Sequence, residues 1–585
     1  MTTIMWFRSD LRINDHPALG AATAQAWAYE RSKRNTTSAY KNKHAATGVL
    51  CVYVKRAPLW GTPNWGQTAW GEQLPDLRRS ELQERALHSA LLQLKQSLGG
   101  NLLTLEGDPA TALPLLARLI AKSTQNEGNI SDIPVTVHVT DDFTPPGRTE
   151  LERVAAALDK IGARLVSTGS PYMVDPGTIK TGEGGNYRVY TPFSRRWFTT
   201  PWLPPMNTNA EIMGADRTNV NTKDAKSTGN AHVTLRAVVG RTIAAKTISW
   251  DGPTEGTEVT APALGKEDLQ RAAQTDLVGM LAEAGITEIE PENASHDNDI
   301  WTTQISEKWA LERLDNFLDE ALEDYPDGRN MLAEDGTSRL SVQLTHGTIH
   351  PRTILRTLAE TGDMNDKPRY KFAAEIAWRE FYADYLHANP HTGWHDTNES
   401  FANFHWDTSR EDDLQAWKDG NTGVPVIDAA MRQLRETGWM HNRARMLVAS
   451  YLTKDLHLRW QVGAAYFLTQ LVDADFASNQ HSWQWTAGTG TDASPFFRIF
   501  NPYTQGAKFD PAAKYIRRWI PELAKVVSNQ PLSAKQVKAL HNAKGDLGVG
   551  KDSVGPLSDY PEPLVDHKAE RADSLERYRD RQLKH

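Results

Sequence analysis

The sequence contains a single cysteine, Cys51, among its 585 residues. An internal disulfide is therefore excluded, and the chain is predicted to belong in a reducing compartment such as the cytoplasm. No run of about 20 apolar residues occurs, so we expect no membrane-spanning helix. The N-terminal stretch brings charged residues directly after a short apolar run, unlike a secretory signal. These absences predict a cytoplasmic protein with no membrane partner.

Common nucleotide and metal motifs are missing as well. No G-x-G-x-x-G follows the first predicted strand, and the glycines of TAGTGTD lack the lysine of a phosphate loop. His387, His391 and His395 have the spacing of ligands on one helix face, but a proline and a glycine between them interrupt any such helix. We therefore assign no metal site, and we predict no dinucleotide site after the first strand.

The bulk composition is that of a soluble globular protein, with 39% hydrophobic and 24% charged residues. A chain of 585 residues is too long for one ordinary core. The net charge is −8, yet residues 431–520 hold eleven Lys and Arg against six Asp and Glu. That region is compatible with phosphate contacts, and a solvated charged face is the alternative. Eleven of the 19 tryptophans lie between Trp301 and Trp519, which calls for a reason beyond packing.

The first 170 residues alternate β-rich runs with amphipathic helices. The predicted strands are TIMWF, GVLCVYV, NLLTL, VTVHV and ARLVS. This alternation predicts an α/β domain over residues 1–170, with a Rossmann-like parallel sheet and ligands near the carboxyl ends of its strands. Polar stretches at 31–47 and 122–133 are predicted to be surface insertions.

The rest of the chain is predicted to be a linker followed by helices. Residues 171–300, with a polar insertion at 204–299, favour an extended interdomain linker because they are polar and then acidic. Beyond it, apolar residues recur at spacings of three and four, so residues 301–523 are predicted to form a large all-α domain. The last segment, 524–585, combines a polar insertion at 524–558 with a charged final helix.

The stretch that begins DADFASNQHSWQW mixes acids, an amide and indoles. Asp473 and Asp475 can hold a cation or a polar ligand, Asn479 offers an amide, and Trp483 and Trp485 offer large rings. This mixture suits a flat aromatic cofactor, and the alternative is a helix end followed by core aromatics. We expect a local strand or extended turn here, with the two tryptophans on opposite sides, where they would serve cofactor and substrate separately.

The segment DGTSRLS, residues 335–341, clusters small hydroxyls around Arg339 between predicted helices. Hydroxyl, backbone N–H and guanidinium groups together suit a diphosphate. Thr337 or Ser338 as a plain helix N-cap is the alternative and the commoner outcome.

The segment GWMHNRARM places four side chains on adjacent helical turns: Asn442, Arg443, Arg445 and Met446. Arg445 can pair with Asp473 or Asp475, and the neighbouring Arg443 can meet a phosphate or a base edge. Surface salt bridges are the alternative.

In AEIAWREFY, Glu375 and Trp378 lie three residues apart on one predicted helix face. The carboxylate can accept hydrogen bonds from base N–H groups while the indole stacks on a base, a pairing suited to extruded nucleotides. A core tryptophan beside an exposed glutamate is the alternative.

Several segments, in the same order, resemble one family. The chain resembles the photolyase and cryptochrome family, and within it a class I cyclobutane pyrimidine dimer photolyase. The resemblance rests on MWFRSDLRINDHPAL, YTPFSRRW, DGTSRLS, IAWREFYADYL, TGVPVIDAAMRQLRETGWMHNRARM and DADFASNQHSWQWTAGTGTDASPFFRIFNPYTQGAKFDP. It covers the N-terminal domain loosely and residues 325–520 closely.

This resemblance implies a light-driven DNA repair enzyme. Reduced FAD, excited by light, would donate an electron to a pyrimidine dimer and recover it after the ring splits, while the protein supplies position and electrostatics. The implied partner is DNA containing pyrimidine dimers, and the implied state is a monomer. The N-terminal domain would bind an antenna chromophore, either methenyltetrahydrofolate or a deazaflavin. A cryptochrome-like blue-light receptor is the alternative, and a dark flavin oxidoreductase is a third reading that the missing nicotinamide motif disfavours.

The resemblance also implies roles for individual residues. Asn479 would face flavin N5, a position at which plant cryptochromes carry Asp instead. Arg445 would pair with Asp473. The residues implied to hold FAD are Tyr325, Thr337, Ser338, Arg339, Leu340, Ser341, Arg445, Asp473, Ala474, Asp475 and Asn479. Those implied in repair are Glu375, Trp378, Asn442, Arg443, Met446, Asn479 and Trp485. Those implied to touch DNA are Arg329, Glu375, Trp378, Tyr382, Asn442, Arg443 and Gln505, and the implied electron-transfer chain is Trp406, Trp460 and Trp483.

Overall fold

The protein divides into an N-terminal α/β part and a helical part, as a computed structural model shows. The structure describes residues 3–36, 48–55, 77–125, 135–202, 207–212, 231–236, 258–264, 266–273, 276–291, 301, 304–401, 404–493, 495, 498–526, 534–543 and 560–583. The predicted fold class, a Rossmann-like parallel sheet joined to a large all-α domain, is confirmed.

The sheet of the α/β part is mainly parallel. Within the described ranges the strands are β1 (Thr3–Phe7), β2 (Val49–Lys55), β3 (Leu103–Glu106), β4 (Thr136–Val139), β5 (Arg164–Ser167), β6 (Asn207–Ile212), β7 (Ala231–Arg236), β8 (Glu258–Leu264) and β9 (Thr287–Glu288). Their order is β5-β4-β1-β2-β8-β7-β6, with β3 beside β2 and β9 beside β3. The pairs among β1 to β5, and β2 with β8, are parallel. The pairs β3–β9, β6–β7 and β7–β8 are antiparallel.

Helices cover this sheet. They are α1 (Pro17–Thr36), α2 (Glu81–Ser97), α3 (Pro109–Gln125), α4 (Pro145–Asp159), α6 (Lys266–Ala273) and α7 (Leu277–Glu283). Helix α5 (Tyr190–Thr199) instead packs against the helical part, on the helix Lys367–Ala388. Strands β1 and β2 are almost wholly apolar and buried, as a parallel sheet with two covered faces requires. Ser80 and Gln83 form a reciprocal capping box that begins α2. The five strands predicted from the sequence are all present.

Part of the predicted linker joins the sheet. β8 pairs in parallel with β2, Val49 opposite Ala263, and β7 and β6 follow as antiparallel neighbours. The prediction that residues 171–300 form an extended linker did not include these three strands. The reason is that a sheet is extended through backbone hydrogen bonds, which a polar sequence makes without an apolar pattern. Residues 213–230 and 237–257 lie outside the described residues.

The helical part begins at α8. Its described helices are α8 (Glu307–Glu320), α9 (Tyr325–Gly328), α10 (Ser341–His346), α11 (Pro351–Glu360), α12 (Lys367–Ala388), α13 (Glu411–Asp419), α14 (Pro425–Thr437), α15 (Asn442–Ser450), α16 (Trp460–Gln470), α17 (Phe476–Ala487), α18 (Pro502–Phe509), α19 (Lys514–Trp519), α20 (Pro521–Val526), α21 (Ala534–Asn542) and α22 (His567–Leu583). Proline at the start and a left-handed glycine at the end bound α14, the arrangement expected from its sequence.

A buried hydrogen bond and a buried ion pair join the two parts. Arg12 donates from Nη1 to the carbonyl oxygen of Gly347 (3.0 Å), and Asp15 pairs with Arg352 (2.9 Å). Gly347 has φ of 68°, and a Cβ there would lie 2.1 Å from the carbonyl oxygen of Ser9, so only glycine fits this approach. The carboxyl edge of the sheet is thereby fixed against α10 and α11.

The C-terminal helix α22 packs onto the helical part. Arg577 pairs with Asp407 (2.7 Å), and the Tyr578 hydroxyl donates to the carbonyl oxygen of Ala487. Of the predicted insertion 524–558, only the end of α20, α21 and residue 543 are described. None of the described helices is both long and apolar enough to cross a membrane.

The remaining predicted insertions, at 31–47 and 122–133, begin inside α1 and α3. Beyond the ends of those helices they lie outside the described residues.

Candidate functional site

Two adjoining cavities open in the helical part. The larger has a volume of about 460 Å³, and the smaller, of about 280 Å³, reaches from it to the segment before α10. Glu375, Arg445, Asp473 and Asp475 belong to the walls of both. Ligand pockets span roughly 300–1,000 Å³. The combined volume of the two cavities lies within this range, and their arrangement suits an elongated ligand with a second ligand beside it.

Most of the predicted site residues line one of these cavities. Those in the larger cavity are Arg329, Glu375, Trp378, Tyr382, Asn442, Arg443, Arg445, Met446, Asp473, Ala474, Asp475, Asn479, Trp483 and Trp485. Those in the smaller cavity include Tyr325, Thr337, Ser338, Arg339, Leu340 and Ser341. Trp406, Trp460 and Gln505 stand outside both linings.

The acids before α17 are held in two different ways. Asp473 is buried, and its Oδ2 accepts a hydrogen bond from Arg445 Nη2 at 2.7 Å. Its other oxygen, Oδ1, is buried without a hydrogen-bond partner among the described residues. Asp475 instead caps α17, accepting from the N–H of Ser478 at 2.7 Å. One carboxylate oxygen is therefore left in the cavity wall for a ligand, since buried polar atoms are rarely unpaired.

Asn479 stands one turn into α17. Its side-chain NH₂ donates to the carbonyl oxygen of Ala464 (3.0 Å) and to Gln480 Oε1 (2.8 Å). With both amide protons used, the group that Asn479 can offer a ligand is its carbonyl oxygen, an acceptor.

The segment before α10 is fixed from outside the smaller cavity. Arg313 donates to the carbonyl oxygens of Ser338 (3.0 Å) and Thr337 (2.6 Å). Arg339 adopts a left-handed backbone conformation with φ of 53°. Leu340 occupies the N-cap position of α10 without a side-chain cap. The alternative reading, in which Thr337 or Ser338 is a plain N-cap, is therefore wrong.

Glu375 and Arg329 form an ion pair in the wall of the larger cavity. Arg329 Nη1 lies 2.5 Å from Glu375 Oε1, and the guanidinium also lies over the ring of Tyr325. Glu375 is thus neither a free surface acid nor a solitary acceptor. A ligand that uses this carboxylate must share it with Arg329.

The α15 side chains face the same cavity. Arg443 donates to Asn330 Oδ1 and lies over the ring of Phe509, 4.6 Å from its centroid. The structure gives it no carboxylate partner among the described residues, so a surface salt bridge does not explain it. His441 precedes α15, and burial, together with the neighbouring Arg445 cation, lowers the pKa of His441 to about 4. The wall therefore takes its positive charge from arginines.

The two tryptophans of WQW lie on a helix, and the expectation of an extended backbone is wrong. An extended backbone would also have placed residues two apart on the same side. Both belong to α17, where positions two apart differ by about 200° around the axis. Trp483 is buried and packs edge to face against Phe467 (5.0 Å) and Trp417 (6.2 Å). Trp485 is half-buried, with Arg498 above its ring. The two indoles therefore point to different sides of α17, and both line the larger cavity.

The other members of the predicted electron-transfer chain are buried away from the cavities. Trp460 donates from Nε1 to Asp396 (2.7 Å). Trp406 packs on Phe404 (4.5 Å), which in turn contacts Tyr578 of α22 (4.8 Å). The C-terminal helix therefore covers the region of Trp406.

Sequence reasoning missed Arg379, which lines both cavities. Its Nη2 lies 3.7 Å from Asp475 Oδ2, and its Nη1 donates to the carbonyl oxygen of Pro171 (2.9 Å). Its spacing of four from Glu375 on the same helix face was a usable signal. Ser478 and Ser482, which also line the larger cavity, carry no such signal.

A third cavity, of about 150 Å³, lies at the carboxyl ends of β1 and β4. Arg8, Asp10 and Asp142 line it, and Arg8 pairs with Asp142 at 2.9 Å. This is the place where a parallel sheet is expected to bind ligands. The volume left by the described side chains is below the roughly 300 Å³ of a small ligand pocket.

The chain is similar to known proteins along most of its length. Residues 3–210 match the family described as DNA photolyase, and residues 372–580 match the FAD binding domain of DNA photolyase. The deoxyribodipyrimidine photo-lyase of Agrobacterium fabrum is 32% identical over 98% of this chain and 97% of its own length. The crystal structure of a bacterial class III photolyase from Agrobacterium tumefaciens matches with a TM-score of 0.67 and 29% identity, covering 100% of this chain and 98% of that one. A Synechocystis cryptochrome, at 21% identity and a TM-score of 0.68 over 98% of each chain, shares the fold.

Proposed function

The chain belongs to the DNA photolyase family, and on that premise we propose that it repairs cyclobutane pyrimidine dimers in DNA with light and bound reduced FAD. The observation that carries this proposal is the pair of adjoining cavities. The residues expected to hold a lesion line the larger one, and those expected to hold FAD are divided between the two. When bound, reduced FAD supplies the photoexcited electron that splits the cyclobutane ring.

The residues present fit this cofactor. Asp473 offers a buried carboxylate oxygen that has no partner among the described residues, and Asn479 offers a carbonyl oxygen. Both are acceptors, as the N–H and ribityl hydroxyl groups of a reduced flavin require. The hydroxyls and Arg339 of the segment before α10 would hold the diphosphate.

The larger cavity would receive the dimer, extruded from the duplex. Trp378 and Trp485 would pack against the pyrimidine rings, and Glu375 would accept from base N–H groups. Asn442, Arg443 and Met446 would complete the wall. These side chains position the lesion and exclude water, while Arg329 and the surrounding basic surface would contact phosphates.

The decisive experiment compares light with darkness. Protein carrying reduced FAD is incubated with a dimer-containing oligonucleotide, and intact pyrimidines are counted by chromatography. We expect repair only under near-UV or blue light. A cryptochrome-like receptor is the competing function, because a cryptochrome has this fold. Persistence of the dimers in the light, with the flavin fully reduced, would reject repair and leave the receptor.

We also propose that Trp483, Trp460 and Trp406 carry electrons toward the cofactor. Trp483 lines the larger cavity, whereas the other two are buried farther away. Replacing Trp483 with phenylalanine, which is far harder to oxidise, should slow the light-driven reduction of oxidised flavin severalfold in the presence of an external thiol. The measurement is flavin absorbance under constant light, with Trp309→Phe on α8 as the control. Reduction of both variants at the unmodified rate would rule this path out.

The finer assignments remain predictions. They are the class I assignment, the antenna chromophore (methenyltetrahydrofolate or a deazaflavin), the monomeric state, the cytoplasmic location and the DNA contact of Gln505. An absorption spectrum of the purified protein distinguishes the two antenna candidates.

A further inference from the structure

The segment YTPFSRRW begins α5, and its first residue stacks on a wall of the larger cavity. The ring of Tyr190 lies parallel to the indole of Trp378, with centroids 3.6 Å apart and planes 7° from parallel. The Tyr190 hydroxyl also donates to the carbonyl oxygen of Ala374, at 2.9 Å. A single side chain thus touches the helix immediately before Glu375 and covers one face of the indole.

We propose that Tyr190 is a positioning residue for the lesion, acting through Trp378. The proposal rests on the repair function proposed above, since it assigns the residue that fixes the lesion-facing indole. With one face covered, the indole has its other face and its edge left for a pyrimidine ring. Tyr190 itself is absent from the lining of both cavities.

The other rings around Trp378 cannot fix its plane in the same way. Phe381 meets the indole edge to face, at 79°, and Tyr382 meets it at 45°. Both follow Trp378 on α12 by one turn, so they move with the same helix. Tyr190 comes from a different helix and is the parallel partner, which makes it the contact that restrains rotation of the indole.

Tyr190 is itself held in place. Its backbone N–H donates to Asp492 Oδ2 (3.0 Å), and Thr491 donates from its hydroxyl to the carbonyl oxygen of Arg188. Asp492, which accepts the hydrogen bond from Tyr190, has a φ of 47°. This left-handed conformation costs energy in a non-glycine residue. The loop after α17 therefore fixes the start of α5, and α5 fixes the indole.

The energetic consequence is one of preorganisation. An aromatic pair contributes stability beyond its buried area, and ordering a free side chain on binding costs free energy. Without Tyr190, the indole of Trp378 becomes ordered only when the lesion binds, and the free-energy cost of that ordering reduces the affinity. One such cost corresponds to a loss of about 2- to 10-fold in affinity for the dimer.

The test compares Tyr190→Leu with Tyr190→Phe in flavin-loaded protein. Affinities are measured by fluorescence anisotropy for one oligonucleotide with and without a dimer. We expect Tyr190→Leu to lose about 2- to 10-fold in dimer affinity and none for undamaged DNA, because phosphate contacts determine the latter. Tyr190→Phe retains the stacked ring and should restore most of the preference. Tyr190→Met, which is similar in volume to leucine and has a flexible chain that fills irregular gaps, replaces the leucine variant if that one unfolds.

A double-mutant cycle with Trp378→Ala separates positioning from a general structural role. If Tyr190 acts through the indole, the leucine change costs nothing further once Trp378 is absent. An equal loss in both backgrounds, an equal loss for undamaged DNA, or an unchanged preference in Tyr190→Leu would each overturn the proposal. A wild-type protein without preference for dimers would instead reject the repair function on which it rests.

Discussion

Replacing Arg445 with methionine should cost the protein most of its FAD and about 3 kcal/mol of unfolding free energy. The carboxylate of Asp473 is 1% exposed, and its partner Arg445 is 26% exposed. Removing the cation leaves a buried charge uncompensated, which costs about 3–5 kcal/mol in proteins. We take the lower end of this range of costs because the guanidinium of Arg445 is partly exposed to water. If the same free energy is lost from the cofactor wall, FAD binds about 100-fold more weakly.

The measurements are the ratio of flavin to protein absorbance after dialysis and the midpoint of denaturant unfolding. Arg435→Met is the matched control, because Arg435 pairs with Asp419 at 3.5 Å with side chains 56% and 47% exposed. Such exposed pairs contribute about 0–1 kcal/mol. Arg445→Lys keeps the charge but not the paired N–H donors of a guanidinium. Its flavin retention and unfolding midpoint should lie between those of Arg445→Met and Arg435→Met. Full retention of flavin in Arg445→Met would contradict the place of this ion pair in the cofactor site.

Local sequence patterns predicted those elements whose side chains follow a single recognisable pattern. The apolar run TIMWF is a buried strand because both faces of a parallel sheet are covered. Asp475, predicted from the sequence only as a ligand-binding residue, also caps α17, because a carboxylate before a helix accepts a backbone N–H. The strands β6 to β8 escaped prediction because edge pairing depends on backbone groups, which every sequence has.

Pairings between distant segments could not be read from local pattern. Spacing allowed Arg445 to reach either acid before α17, and only the packing of α15 against α17 selects Asp473. Glu375 and Arg329 were each assigned a separate role, yet they form one ion pair. Their separation of 46 residues along the chain gave no sign of it. Segment resemblance thus selected residues that line the two cavities, whereas the geometry shows which of them depend on one another.

That dependence makes Glu375 the second position where a large effect is expected. Glu375→Ala should reduce the preference for dimer-containing over undamaged DNA about tenfold or more while leaving FAD bound. The change removes an acceptor for base N–H groups and leaves Arg329 without its carboxylate. A hydrogen bond to a charged group contributes about 1.5–3 kcal/mol. The lower figure applies because the side chain of Glu375 is 35% exposed, and it corresponds to about tenfold.

Three variants locate the effect. Glu375→Gln keeps a carbonyl acceptor without the charge, so recovery of preference would assign the role to hydrogen bonding rather than to the ion pair. Glu360→Ala, which breaks the exposed pair with Arg356 (3.0 Å), controls for loss of a surface carboxylate. If Glu375→Ala loses FAD in parallel with Arg445→Met, then Glu375 supports the cofactor and not the lesion. The two cavities share both residues, so this comparison decides which side of the common wall each one serves.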